Sequence, residues 1–337
     1  MRRPGPLLAA VLLLAACSQQ ASPTSTFPAR IAVGERPVVP AYGSGSIWVP
    51  NSADGTVTRV DERSGRVLAT ITVGDPANLV GRGCLEYGVH GLYSGSFEFR
   101  LCDMPSAAAG SEDGIWVTDN ADQAVARIDP ARNRVQARIP VGLDLWGIAA
   151  GAGMVWATDY LTSTVVRIDP VNDTVAARIP VPSEPTGVAI AADGVWVVCT
   201  QARVAVRIDP ATNTITGQVP TGDAANAMEA AIAFGSLWVM NEAGGTLYRF
   251  DERTGAAQGT VQTLARAGRN GVGGMAALRG RLWLGGLHVQ AVDPATMRVA
   301  AVADSDGIGV TAGRDAVWAT TLGGYLVRID PARVRPA

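Results

Sequence analysis

"FPARIAVG", residues 27–34, has the cadence of a closing strand with no strands in front of it. The same cadence ends longer units downstream, as QARIPVG at 136–142 and AARIPV at 176–181. Outward from it, seven segments align on one tryptophan: Trp48, Trp116, Trp156, Trp196, Trp238, Trp283 and Trp318. Five of these precede an aspartate by thirteen residues: Asp61, Asp129, Asp169, Asp209 and Asp251. The interval shortens in the sixth (Trp283 to Asp293) and is one residue shorter in the seventh (Trp318 to Asp330). The forty-residue step from Trp116 to Trp156 to Trp196 is the period of a four-stranded propeller blade.

Each unit reads as four short strands, A to D: a small-residue run such as Thr186–Ala191, the Trp strand, a strand like AVRID, and one like TITGQVP. The C–D hairpin follows from its residues. Asp209 caps the turn, Pro210 presets φ, and Asn213 suits a left-handed conformation. The corresponding positions Gly65, Asn133, Asp173 and Gly255 tolerate it as well. Met297 does not fit, so the sixth turn is expected to differ. The last unit ends at RIDPAR (328–333), after strand C. Residues 28–33 then supply its missing strand D alongside 307–331, and the ring is latched by its own two ends. The expected fold is all-β: one seven-bladed propeller over 27–334, with an insertion at 78–104 between blades one and two.

The seven repeat tryptophans are expected between blades, where a flat side chain fills the wedge. Arg59, Arg127, Arg167, Arg207, Arg249 and Arg328 lie two before the aspartate. Because nearly every blade repeats them, they read as an interblade ion-pair or hydrogen-bond ring in preference to a binding site.

Function is sought where the repeats disagree. Three after the Trp stand Asn51, Asp119, Asp159, Cys199 and Asn241. Trp146, alone outside the repeat frame, falls at the start of a strand A; Glu229 occupies a place that is Gly147 or Gly187 in other blades, and Glu242 follows Asn241. Together Asn51, Asp119, Asp159, Trp146, Glu229, Asn241 and Glu242 form an expected acidic channel mouth. Two readings stand: carboxylates and amides capping loop N–H groups, or a site for a cation or small cationic ligand. No cofactor is expected; Ca²⁺ or Mg²⁺ at the mouth is the alternative. Asp119→Ala with Asp159→Ala is expected to leave folding intact and abolish binding. The insertion adds Tyr87, His90, Tyr93, Phe97 and Phe99 on the same face, a contact surface or a decorative loop.

The N-terminus begins with Arg2 and Arg3, runs through apolar Leu7–Ala16, and reaches Leu14-Ala15-Ala16-Cys17. That pattern resembles the bacterial lipoprotein signal, with residues 1–16 removed, Cys17 acylated, and 17–26 a flexible tether; an ordinary secretory peptide is the alternative. The expected location is the bacterial cell envelope, facing periplasm or exterior, with the membrane as partner through Cys17. Cys84 and Cys102, in an oxidising compartment, are expected to pair, and closing that loop is worth roughly 3 kcal/mol. The chain is 47% apolar and its 28 basic residues are all Arg. A net charge of −2 gives no basic face for nucleic acid, so no nucleic-acid partner is expected. A monomer binding a protein or small molecule is expected.

The motif GVWV…VRIDPATNTITGQVPTG and its copies resemble the YVTN/YncE-like propellers and, more distantly, the streptogramin-lyase-like propellers, over roughly residues 28–333. The second resemblance implies Mg²⁺ held by paired His and a Glu. His90 and His288 do not match that arrangement, so no catalytic residue is carried over. The leading expectation is a non-catalytic binding scaffold. A metal-dependent lyase using His288 and a mouth carboxylate is the alternative, and a quinone-binding redox propeller a further one.

Overall fold

The computed structural model describes residues 30–74, 106–112, 114–142, 144–222, 227–242, 244–264, 273–321 and 323–337. Cys17 with the leader and tether, and the insertion carrying Tyr87, His90, Tyr93, Phe97, Phe99 and the Cys84–Cys102 pair, lie outside them. Among the described residues the strands form seven antiparallel sheets. Blade three shows the plan: Leu145–Gly151 innermost, then Met154–Asp159, Thr164–Asp169 and, outermost, Thr174–Pro180. Burial explains the residue choice. Strand B of blade four, GVWVVC, is buried at every position because a blade covers each face. Strand D of blade three alternates exposed residues with half-buried or buried ones because it forms the rim.

The ring closes as the opening octapeptide requires. Blade seven consists of Gly309–Ala312, Val317–Thr320 and Tyr325–Ile329, completed by Ile31–Ala32 on its outer edge, with Ile31 opposite Leu326. The chain's other end does something the repeats do not announce. Arg335–Pro336 pairs with the outer strand of blade six, opposite Val302 and Ala301, making that sheet five-stranded.

All seven repeat tryptophans are fully buried. Each packs into the next blade around the circle: Trp48 against Ile115 and Ile128, Trp116 against Val155 and Ile168, and so on to Trp318 against Ile47 and Val60 of blade one. The arginines tie the same seams. The Arg127 guanidinium lies 5.1 Å from the Trp116 ring and donates to the Pro170 carbonyl and Asp173 Oδ1 in the C–D turn of the next blade, both at 2.8 Å. Arg167 repeats this on Pro210 O and Asn213 Oδ1, and Arg59 on Pro130 O and Asn133 Oδ1. The fourth turn residue therefore has two duties, a left-handed backbone and an acceptor for the neighbour's arginine. Only the first was legible locally.

The seams of Arg249 and Arg207 depart from this pattern. Met297 was expected to break its turn, yet it takes φ 53° and donates its N–H to Asp293 O at 2.9 Å, as Asn213 does to Asp209 O. Its sulfur stands 3.7 Å from Arg249 Nη1, in the acceptor's place. The interblade contacts impose the turn over local preference. Met297→Asn is thus expected to stabilise the protein by about 1 kcal/mol, relieving backbone strain and supplying a better acceptor; thermal denaturation reads it. At the fourth seam the facing turn has Gly255, with no side chain to accept. Arg207 instead folds back on Asp193 O and Oδ1 of its own blade, and the Trp196 indole N–H takes the Glu252 carbonyl at 2.7 Å. Arg167→Ala is accordingly expected to cost roughly 2 kcal/mol, removing a charge-assisted clamp and a ring contact. Arg207→Ala should cost about half as much or less, since its Asp193 partner is exposed. Equal losses in calorimetric melts would overturn the clamp.

Candidate functional site

The B–C turns and D–A connectors share the face opposite the clamped turns. A connector leaves a strand D and crosses onto the next blade, where at three described places the residue three after the Trp meets it. Asn51 Oδ1 accepts the Gly34 N–H at 3.0 Å while its amide donates to Thr56 and Thr58. The Asn241 amide donates to Thr221 O at 2.8 Å. Asp159 Oδ1 accepts the Thr162 N–H, and Gly142 passes so close that a Cβ there would lie 1.9 Å from Asp159 Oδ2. Asp119 Oδ1 accepts the Asp122 N–H at 3.4 Å.

Asn51, Asp159 and Asn241 thus lie against the described connectors, while Asp119 bonds within its own B–C turn. Asn51, Asp119 and Asp159 are wholly buried, and Asn241 and Glu242 nearly so. A double substitution of Asp119 and Asp159 would therefore act on two wholly buried side chains. Glu229 sits on the innermost strand Ala227–Ala233 of blade five, where its carboxylate accepts the Gly274 N–H of blade six. The preceding blades carry glycine at this place because a Cβ on Gly147 would meet the Thr186 carbonyl at 2.4 Å. Burial, then the Glu242 charge, raises the Glu229 carboxyl to about 8.

Trp146 belongs to a different group, on blades three and four. Its ring is half-buried and tilted against Tyr160, centroids 5.9 Å apart at 31°. The Tyr160 phenol donates to the Glu184 carboxylate; burial, that hydrogen bond and the nearby Glu184 and Asp144 charges hold it protonated well above its usual range. Its backbone N–H bonds the Asp144 carbonyl at 2.8 Å. Asn120 fixes this connector by exchanging two hydrogen bonds with Leu145. Asp144 is 2% exposed, and its Oδ2 finds no hydrogen-bond partner among the described residues. Burial, then the Asp159 charge, raises it to about 7. Asp119 reaches about 7 too, through burial and then Asp122.

Asp144, Tyr160 and Glu184 were not among the residues singled out in the sequence. For Tyr160 the signal was one column further along: four after the Trp stand Ser52, Asn120, Tyr160, Thr200 and Glu242, which vary far more than the residues beside them. Cys199 is wholly buried, its thiol pushed up to about 12 by burial. His288 is exposed on the blade-six B–C turn. Among the described residues no group of three His, Cys, Asp or Glu is placed to hold a metal ion.

No known family profile matches the chain, and no curated protein matches it. Solved structures do. A Kuenenia stuttgartiensis hydrazine synthase chain superposes with a TM-score of 0.71 at 14% identity, covering 88% of this chain and 96% of that one. A streptogramin B lyase structure gives 0.71 and 14%, covering 91% and 97%. Virginiamycin B lyase from Staphylococcus aureus gives 0.68 and 14%, covering 89% and 97%. Likeness at this identity shows the seven-bladed propeller and nothing about chemistry, since one propeller hosts many activities.

Proposed function

We propose that this chain is an extracytoplasmic, lipid-anchored propeller that binds a ligand or protein partner, without catalysis, on its connector face at blades three and four. One observation carries the reading. That face gathers a half-buried aromatic pair, the carboxylate of Glu184 and exposed Leu161, whereas the opposite face spends its repeated arginines and turn residues on holding blades together. Uniform clamps are structural; a local break in the repeat is where specificity can reside.

The test has two arms. A photo-crosslinking residue at Leu161, in intact cells, is expected to give a discrete adduct that the same residue at Val171, exposed on the opposite face, does not give. Equal adducts at both, or none at Leu161, overturn the binding face. The lipid anchor is read separately: the full chain should partition into the detergent phase of a cloud-point extraction, and Cys17→Ala should move it to the aqueous phase.

A second reading is a divalent-metal-dependent lyase, favoured by the full-length likeness to the streptogramin B lyase. His288 and a carboxylate of the connector face would carry it. Ring opening of a streptogramin B substrate that stops with EDTA and in His288→Ala would replace the scaffold reading.

A further inference from the structure

We infer that the Trp146–Tyr160 ring pair and the Glu184 carboxylate form a binding site for a small organic cation, an amine or quaternary ammonium. The inference rests on the reading of this face as a binding face and names the ligand class.

Three features of the group converge on that class. Ring faces attract a cation through their quadrupole, and the interaction strengthens as water is excluded. Trp146 and Tyr160 are half-buried, so they offer ring surface in a partly dry setting. Glu184 accepts a hydrogen bond from the Tyr160 phenol, and a carboxylate can accept several. Beneath them lies a buried carboxyl with an oxygen that nothing among the described residues satisfies, Asp144 Oδ2, close enough to Asp159 and Tyr160 to raise both its own and the tyrosine's proton affinity. Buried polar atoms are ordinarily paired. The charged groups facing Asp144 are Asp159 and, through Tyr160, Glu184, all of one sign. Arg178, on the outer strand of blade three, donates to the Val141 carbonyl. A cation seated on the rings supplies the missing sign without touching the buried oxygen. A bare metal ion is disfavoured, because no three carboxylates converge here and the rings would stand idle.

Titrating choline and tetramethylammonium into the detergent-solubilised full chain tests this by calorimetry. Both are expected to bind, about tenfold more weakly to Glu184→Gln and to Trp146→Leu. Affinity should rise several-fold between about pH 6 and 8, with proton release, as Asp144 ionises against the cation. Unchanged melting of Glu184→Gln shows that the fold is kept. The inference is overturned if neither probe binds, if the variants bind as well as the parent, or if the neutral tert-butyl isostere of choline binds equally. In each of those cases a surviving adduct at Leu161 leaves the binding face standing, and its loss removes both.

Discussion

Ile31→Asp is expected to destabilise the ring by roughly 4–5 kcal/mol, lowering the melting temperature by about 10 °C or more. Ile31 is 5% exposed and packs with Leu326, Trp318 and Ile47, so it touches blade seven and blade one at once. Its strand is only two residues long, held by the Ile31–Leu326 and Ala32–Tyr325 pairs and by the Val33 N–H to Gly324 O at 3.1 Å. The substitution removes a core side chain and places a charge among apolar side chains. The ring should open at this seam, exposing the chain's C-terminal segment to protease. Ala32→Asp, on the same strand but exposed, should cost under about 1 kcal/mol. If the two variants behave alike, the N-terminal strand does not close the ring.

That contrast also marks how far the sequence could be read. The blade count and the split seventh blade were legible because the period, the Trp frame and the missing strand D are local facts of order along the chain. The interblade arginine ring was legible as a tendency, but its targets were not: Arg127 and Arg167 find acceptors 43 residues onward, Arg59 71 residues onward, and Arg207 turns back on its own blade. The Met297 turn was misread for the same reason: its conformation is set by the neighbouring blade. Of the channel-mouth residues, Asn51, Asp119, Asp159 and Asn241 end the Trp strands, and Asn51 and Asn241 hold connectors by hydrogen bonds. Burial decides between those roles, and composition does not reveal burial for Asp or Asn. Trp146 was found because it breaks the frame. Tyr160 and Glu184 meet it only through the crossing of a connector.

The largest pH effect should come from the buried carboxyls. Asp119 and Asp144, moved from 3.8 to about 7, and Glu229, moved from 4.5 to about 8, keep their protons in the folded chain at pH values where the unfolded chain has released them. Across that interval the folded state binds more protons, so stability falls as pH rises from the unfolded value of each group to its folded value, and levels off above. The capping aspartates act in the opposite sense. Hydrogen bonds, led by Ser64 for Asp61 and by the Ala211 N–H for Asp209, hold them below their ordinary value, so their contribution is lost only as pH falls below about 4. Stability should therefore peak near pH 4–5 and decline toward pH 8. A carboxyl moved from 3.8 to about 7 corresponds to about 4 kcal/mol. Three such groups would consume most of the 5–15 kcal/mol that a typical domain has, so local relaxation must absorb part, and about 2 kcal/mol each is the expected loss. Asp144→Asn removes the charge but keeps the shape. At pH 8 it should raise the unfolding free energy by about that amount and flatten the decline, with little effect at pH 5. Saturating choline should stabilise both proteins by mass action, but should flatten the pH decline only in the parent, because a bound cation and a missing charge relieve the same repulsion. Parallel pH profiles for parent and variant would show that Asp144 is not held protonated by its burial, and would remove the electrostatic basis for a cation on the rings above it.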